Sequence, residues 1–440
     1  MPRGKKKTKG AGGKHNGGSR EASDVDTPDN MSVVSNLSDA GSFAADLEAV
    51  GIVSPPIQEN GEVDESSSQE DFEEKLKDCI DGCTQKSAKG RTTCLTGLAQ
   101  ASKKKYLYDF FVDRRMTVTD AIARCLKKGK AEEVSSASMC AIHLCLQLGA
   151  GDEAGEAFQE LKPILIKIIM DASAPLKARS NCAIALSMCS FIAGGEIEEI
   201  VKVMESFESI FKGSYLKGDG GAPMLSPEMS SLHEHVLSAW TLLVSIAPQS
   251  VLDDIIEKHL PKLPELLASN NVELRIEAGE AIALLFELAR DENEDFEFED
   301  LENLCDILKK LATDSNKFRA KVDRRKQRSS FRDVLRTVEE ADAPEMSVKF
   351  GRECLEIYSW VRKKQYDMFC SALGTGMNLH LQENDLVRDV FGLGAPIPQG
   401  AAPVSKSSKI ERTLYNAAAF KARTKTRLKN RDKRSVAFNS

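Results

Sequence analysis

Between residues 70 and 343 apolar side chains recur every three or four positions and alternating β-branched runs are scarce, a period that predicts one helix after another. The clearest case is 271–290, NVELRIEAGEAIALLFELAR. Its Leu274, Ala278, Ala281, Leu285 and Leu288 step by four, three, four and three and so share a face, with Arg275, Glu277, Glu280 and Glu287 largely off it. Asn270 or Asn271 can cap its start. Comparing the helices exposes a repeat. CLTGL at 94–98, CAIHL at 140–144, CAIAL at 182–186 and EAIAL at 280–284 are separated by 46, 42 and 98 residues, and the helix expected at 230–248 falls in the last, double gap. A period of roughly 40–47 residues built from two or three helices is that of HEAT and armadillo arrays, in which stacked helices share one continuous core. The predicted fold is therefore all-α, an armadillo/HEAT-like α-solenoid over 70–343.

Past Pro344 the pattern changes. EMSVKF at 345–350 and CLEIYSW at 354–360 are short and β-branched or aromatic, with Gly351 between them, and predict a hairpin. Helices at about 361–373 and 377–391 follow, so 344–394 reads as a small α/β extension. The breaker-rich GLGAPIPQGAAP (392–403) leads through a linker, 395–408, into a basic C-terminal segment, 409–440.

Composition adds three constraints. A chain that is 41% hydrophobic and 29% charged can bury a core over most of its length. Residues 1–68 are the exception: Gly-, Ser- and acid-rich, they cannot bury enough surface to offset ordering entropy, and disorder is expected there. Their Thr27-Pro28 and Ser54-Pro55 steps are candidate phosphorylation sites. The net charge of −7 hides a segregation: residues 1–20 hold +7 and residues 406–440 hold +9, leaving −23 on 21–405. The most apolar stretch, LKPILIKIIM at 161–170, is cut by Lys162, Pro163 and Lys167, so no membrane span is predicted; nor does the basic N-terminus precede an apolar secretory core. Cytoplasm and nucleus are the expected locations.

Catalytic signatures are missing from the sequence. It holds no HExxH, GxSxG or GxxxxGK[ST], and GAGDEA at 149–154 matches GxGxxA only formally, following a helix instead of a strand, so a helix-ending turn is expected. The eleven cysteines lack zinc-site spacing and sit mostly among Ala, Ile, Leu and Met, which predicts reduced, buried thiols. No enzyme activity, cofactor, metal or small-molecule substrate is expected.

Two basic segments stand out. In NKFRAKVDRRKQRSSFRDVLR (316–336), Lys317, Arg319, Lys321, Arg324, Arg325, Lys326 and Arg328 crowd onto the start of a helix that becomes amphipathic through Phe331, Val334, Leu335 and Val338. This is a ridge for phosphate contact or nuclear import, or else a charge run paired with the acidic stretch 291–302. In the C-terminal segment, Lys421, Arg423, Lys425, Arg427, Lys429, Arg431, Lys433 and Arg434 spread cations over opposite faces of any helix, which suits surroundings of phosphate, above all RNA.

The strings KLKDCIDGCTQKSAKGR (75–91), RRMTVTDAIARCLKKGK (114–130), AGEAIALLFELAR (278–290), LATDSNKFRAKVDRRKQRSSFRDVLR (311–336), GTGMNLHLQENDLVRDVFGLG (374–394) and LYNAAAFKARTKTR (414–427) resemble the interferon-related developmental regulator family over nearly everything after residue 70. That resemblance implies a non-enzymatic armadillo-like protein with a separate short C-terminal family domain. It also implies two roles, transcriptional co-regulation through co-repressor-type protein complexes during differentiation and binding of translationally inactive ribosomes. The first is the expected function; the alternative is a translational silencer whose basic C-terminal helix enters an rRNA-lined channel.

Overall fold

The computed structural model describes residues 65–218, 220–314 and 320–396, with side chains from residue 69 onward. Six helix pairs follow one another among these residues, the first member of each in an outer row and the second in an inner row. They are α1 (Glu65–Gly82) with α2 (Ala88–Lys104); then, after the short α3 (Tyr108–Asp113), α4 (Arg115–Lys128) with α5 (Ala131–Leu148); and α6 (Asp152–Met170) with α7 (Leu176–Ala193). The series continues with α8 (Ile197–Phe211) and α9 (Pro227–Val244), α10 (Gln249–His259) plus a 3-10 turn (Leu263–Ala268) and α11 (Val272–Glu292), and α12 (Leu301–Ala312) and α13 (Lys321–Glu340). Inner helices pack consecutively, α2 on α5, α5 on α7, α7 on α9, α9 on α11 and α11 on α13, and each outer element packs on its own inner partner.

The repeat read from sequence is this inner row. CLTGL, CAIHL, CAIAL and EAIAL lie on α2, α5, α7 and α11, and α9 fills the double gap. Inner helices begin 43 to 51 residues apart. The chain is an armadillo/HEAT-like α-solenoid, and its helix α1 begins at Glu65, already inside the segment expected to be disordered. Outer helices are one-sided: α8 buries Ile200, Val203, Met204, Phe207 and Phe211 and leaves its acidic face wet.

Inner helices are different, and α11 corrects the reading of its own sequence. Asn271 caps it, accepting from Leu274 N at 2.9 Å, and Leu274, Ala278, Ala281 and Leu285 are buried as expected. Yet Arg275, placed on the polar side, is only 2% exposed. It donates to Ser269 O and Gln327 Oε1. Glu277 and Glu287 are covered too, because a second layer lies over the inner row.

That layer is the C-terminal extension. Strands β1 (Met346–Phe350) and β2 (Glu353–Ile357) pair antiparallel, Met346 opposite Ile357 and Phe350 opposite Glu353, around Gly351, whose φ of 51° is left-handed. Helix α14 (Trp360–Leu373) then crosses α11, α9 and α5, and a 3-10 turn (Gly374–Gly376), α15 (Met377–Glu383) and α16 (Asp385–Phe391) follow, the turn and α15 reaching α2. The chain thus returns from the last pairs to the first. The single helix expected over 377–391 is two, broken where Asn384 caps α16 through Val387 N (3.2 Å) and donates to Leu146 O of α5 (3.0 Å). Gly376 is required: a Cβ there would sit 2.0 Å from Lys103 O.

Docking of α14 combines apolar and ionic contacts. Trp360 Nε1 donates to Thr337 Oγ1 (2.7 Å), and Phe369 meets Phe191 edge-on at 5.9 Å. Lys364, buried, donates to Ser238 Oγ (2.7 Å) and pairs with Glu277. Lys363 pairs with Glu280 at 3.1 Å. Glu287 accepts the first N–H groups of α14, from Trp360 (2.7 Å) and Val361 (3.1 Å). The cysteines are free thiols, mostly buried as expected, with Cys94 and Cys370 half-buried and Cys354 exposed on the hairpin.

Lys364→Ala is expected to cost about 3–5 kcal/mol by stranding Glu277, whereas Lys364→Met combined with Glu277→Leu costs far less; chemical denaturation of the three proteins checks both. A pH dependence follows from Glu287. Burial pushes its carboxyl up to about 7 despite the two N–H donors, with Asp291 adding to the rise. Between the ordinary value of 4.5 and about 7 the folded chain holds a proton that the unfolded chain releases, so this group's contribution to stability falls as pH rises through that window. Glu287→Gln should therefore be more stable than the parent above pH 7, and thermal melts should converge below pH 4.5.

Candidate nucleic-acid interface on helix α13

Helix α13 closes the inner row. Its buried side carries Gln327, Phe331, Val334 and Val338 at steps of four, three and four. Phe331 seats against Gly279 of α11, where a Cβ would come within 2.7 Å of the ring, so the glycine admits the close approach. Gln327 accepts from Arg275 Nη2 (2.5 Å) and donates to Leu311 O (3.3 Å), and Arg290 Nη2 donates to Val338 O (2.7 Å). These bonds fix the rotation of the helix about its axis and so the side it offers to solvent.

That side is cationic. Lys321, Arg325, Arg328 and Arg332 stand at i, i+4, i+7 and i+11, one stripe spanning about 16 Å at 1.5 Å per residue. Lys321, Arg325 and Arg332 are exposed; Arg328 and the flanking Arg324 are half-buried. The Nε of Arg324 has no hydrogen-bond partner among the described residues. Two acids farther along the helix are turned aside, Asp333 pairing with Arg336 at 3.1 Å and Glu339 with Lys309 at 2.6 Å, while Asp323 stands among the cations in the first turn. Lys321 and Arg324 also stand in the first turn, where the helix dipole disfavours cations. A cationic stripe of this kind can attract phosphate.

The ridge read from sequence is thereby divided. Lys321, Arg324, Arg325 and Arg328 come together. Lys326 does not, turning to the opposite flank to pair with Glu273 of α11 at 2.5 Å. Arg332 joins the stripe although it was not counted with the ridge; its spacing of four from Arg328 was the available signal. Lys317 and Arg319 lie outside the described residues, as do Lys421, Arg423, Lys425, Arg427, Lys429, Arg431, Lys433 and Arg434. The acidic stretch 291–302 is held by its own aromatics, Phe296 and Phe298 packing edge-on against Phe286 at 5.8 and 5.7 Å.

The remaining chemistry is structural. GAGDEA is the expected turn, Gly149 ending α5 at φ 75° and Gly151 preceding α6. Among the described residues no three His, Cys, Asp or Glu side chains converge as metal ligands, and no helix is long and apolar enough to cross a membrane. Burial pushes the imidazole of His233, bonded to Ser214 Oγ, down to about 4, and holds those of His143 and His380 below the usual histidine range, so all three are neutral core groups at pH 7.

Comparison with known proteins completes the picture. A family model described as interferon-related developmental regulator matches residues 30–339, and a second, described as interferon-related protein conserved region, matches 384–435. The second match begins at the buried Asn384, within the extension. Interferon-related developmental regulator 1 of Homo sapiens is 48% identical over 427 residues, 97% of this chain and 92% of that protein. Interferon-related developmental regulator 2 of Mus musculus is 47% identical over 375 residues, 85% of each. Among solved structures, a designed armadillo repeat protein aligns with 59% of this chain and 99% of its own length at 15% identity and a TM-score of 0.37. On sequence, this chain belongs to the interferon-related developmental regulator family.

Proposed function

We propose that this chain is a non-enzymatic regulator of gene expression that binds ribosomes or comparably structured RNA, with the solenoid as a rigid carrier of cationic surfaces. The observation that carries this reading is the stripe of Lys321, Arg325, Arg328 and Arg332, held in fixed rotation by buried contacts of α13. Four cations within about 16 Å match the repeat of a phosphodiester backbone, and their neutralisation by phosphate releases counterions. The C-terminal cations from Lys421 to Arg434 supply a second contact of the same chemistry. In this reading the C-terminal segment occupies an RNA-lined channel and excludes mRNA or tRNA. The other role implied by the resemblance, a scaffold for co-repressor-type protein complexes, has less support: the inner row, the natural peptide-binding face of a solenoid, is filled by residues 359–391 of the same chain.

Replacing Lys321, Arg325, Arg328 and Arg332 with Glu should weaken co-sedimentation with ribosomes and flatten its dependence on log salt by about 3, at roughly 0.7–0.9 per phosphate contact. Reversing Lys421, Arg423, Lys425, Arg427, Lys429 and Arg431 should abolish it. Ribosome binding indifferent to both sets of changes, with a protein complex retained, would favour the scaffold instead.

A further inference from the structure

A second cationic surface lies at the other end of the helix rows, on residues that the reading above does not use. The turn between α1 and α2 carries Lys86 and Lys89, and the end of α4 with the turn into α5 carries Arg124, Lys127, Lys128 and Lys130; all six side chains are exposed. The two turns are fastened side by side. Arg91 forks onto Glu133 of α5 (Nε to Oε1 2.6 Å, Nη2 to Oε2 3.0 Å), while its Nη1 donates to the carbonyls of Gln85 (2.8 Å) and Lys86 (2.9 Å). The Cys125 thiol reaches Cys83 O at 3.9 Å from beneath. Arg91 and Glu133 thus neutralise each other inside the surface, and the six outer cations are left without an ion pair among the described residues.

Stability accounts for only part of this arrangement. Lys127 and Lys128 end α4, where the dipole welcomes them, but Lys86 and Lys89 flank the start of α2, whose first turn holds no acid and whose dipole opposes them. Like charges on adjacent turns repel as well. Residues 65–396 carry −13, so six cations without an ion pair among the described residues, on two neighbouring turns, run against the average of that part of the chain. No exposed aromatic on these turns offers a base a stacking partner, so the chemistry they fit is a phosphate backbone followed without regard to sequence.

We propose that Lys86, Lys89, Arg124, Lys127, Lys128 and Lys130 form a second phosphate-backbone contact, engaging a different stretch of the same structured RNA as the α13 face. The proposal rests on the ribosome-binding reading, and it makes the solenoid a two-ended clamp whose ends the inner row keeps at fixed separation. The test uses the full chain with α13 and the C-terminal segment intact. Lys86, Lys89, Lys127, Lys128 and Lys130 are changed to Gln, and ribosome affinity is measured across salt concentrations. A control changes Arg115, Lys162, Lys258, Lys262 and Lys363, each already paired with a carboxylate, to Gln, which shifts net charge equally. The expected result is a slope against log salt shallower by at least 2 and affinity at least tenfold weaker for the first set, with the control changing affinity less than threefold. Because Lys363 supports α14, its control is repeated with Lys363 restored. Equal losses in both sets, or an unchanged slope in the first, would overturn the proposal. Failure of the unaltered chain to bind ribosomes would instead sink the function on which it rests.

Discussion

Closure of the inner row by the chain's own C-terminal extension is the constraint from which the rest of the structure follows. A stack of paired helices leaves one side of its inner row open, and here that side carries Glu277, Glu280, Glu287, Ser238 and Ser245, polar groups that a partner must satisfy once they are covered. The partner is α14. Lys364 meets Glu277 and Ser238, Gln365 donates to Ser245, and the free N–H groups at the start of α14 meet Glu287. Such contacts add little net stability beyond what apolar packing would give, but they are costly to leave unpaired, so they select one register for the extension. Trp360, Phe369 and Phe391 supply the apolar burial that holds it there.

This closure explains which parts of the fold were legible in the sequence. Outer helices show their sidedness because one face meets water, as α8 and α12 do. The repeat of the inner row was legible because its small and apolar residues recur at nearly constant spacing. The polar side of α11 was misleading: Arg275, Glu277 and Glu287 have the spacing of a solvated face, but Gln327 of α13 meets Arg275, and a segment some seventy to ninety residues later in the chain turns the two glutamates inward. Nothing local to 271–290 encodes that. Likewise 377–391 has helical periodicity throughout, and the break at Asn384 is set by a carbonyl on α5, Leu146 O, far away in sequence.

The cationic face was partly legible for the same reason. A run of basic residues announces charge but not direction. Lys326 lies within the run and still leaves the stripe, because Glu273 at the start of α11 draws it to the other flank; Arg332 lies outside the run and joins it by helical phase. The phase itself is decided by Gln327 and Phe331, whose partners Arg275 and Gly279 belong to the preceding inner helix. Sequence supplied the candidates, and packing chose among them.

Filling the inner row also redirects binding. A solenoid with an open inner face can hold an extended peptide along many repeats, each contributing a little. In the proposed function, with that face satisfied in cis, contact with another macromolecule falls to the helix ends, the turns and the last helix of the row. Surfaces of that kind gain affinity chiefly from charge and from being held at fixed separation, since each added contact then escapes most of the entropic cost of a separate encounter. Phosphate is the ligand class that rewards both features. The inward-turned acids and the outward-turned cations are therefore one arrangement: the extension that neutralises Glu277 and Glu280 also stiffens the frame on which the cations stand.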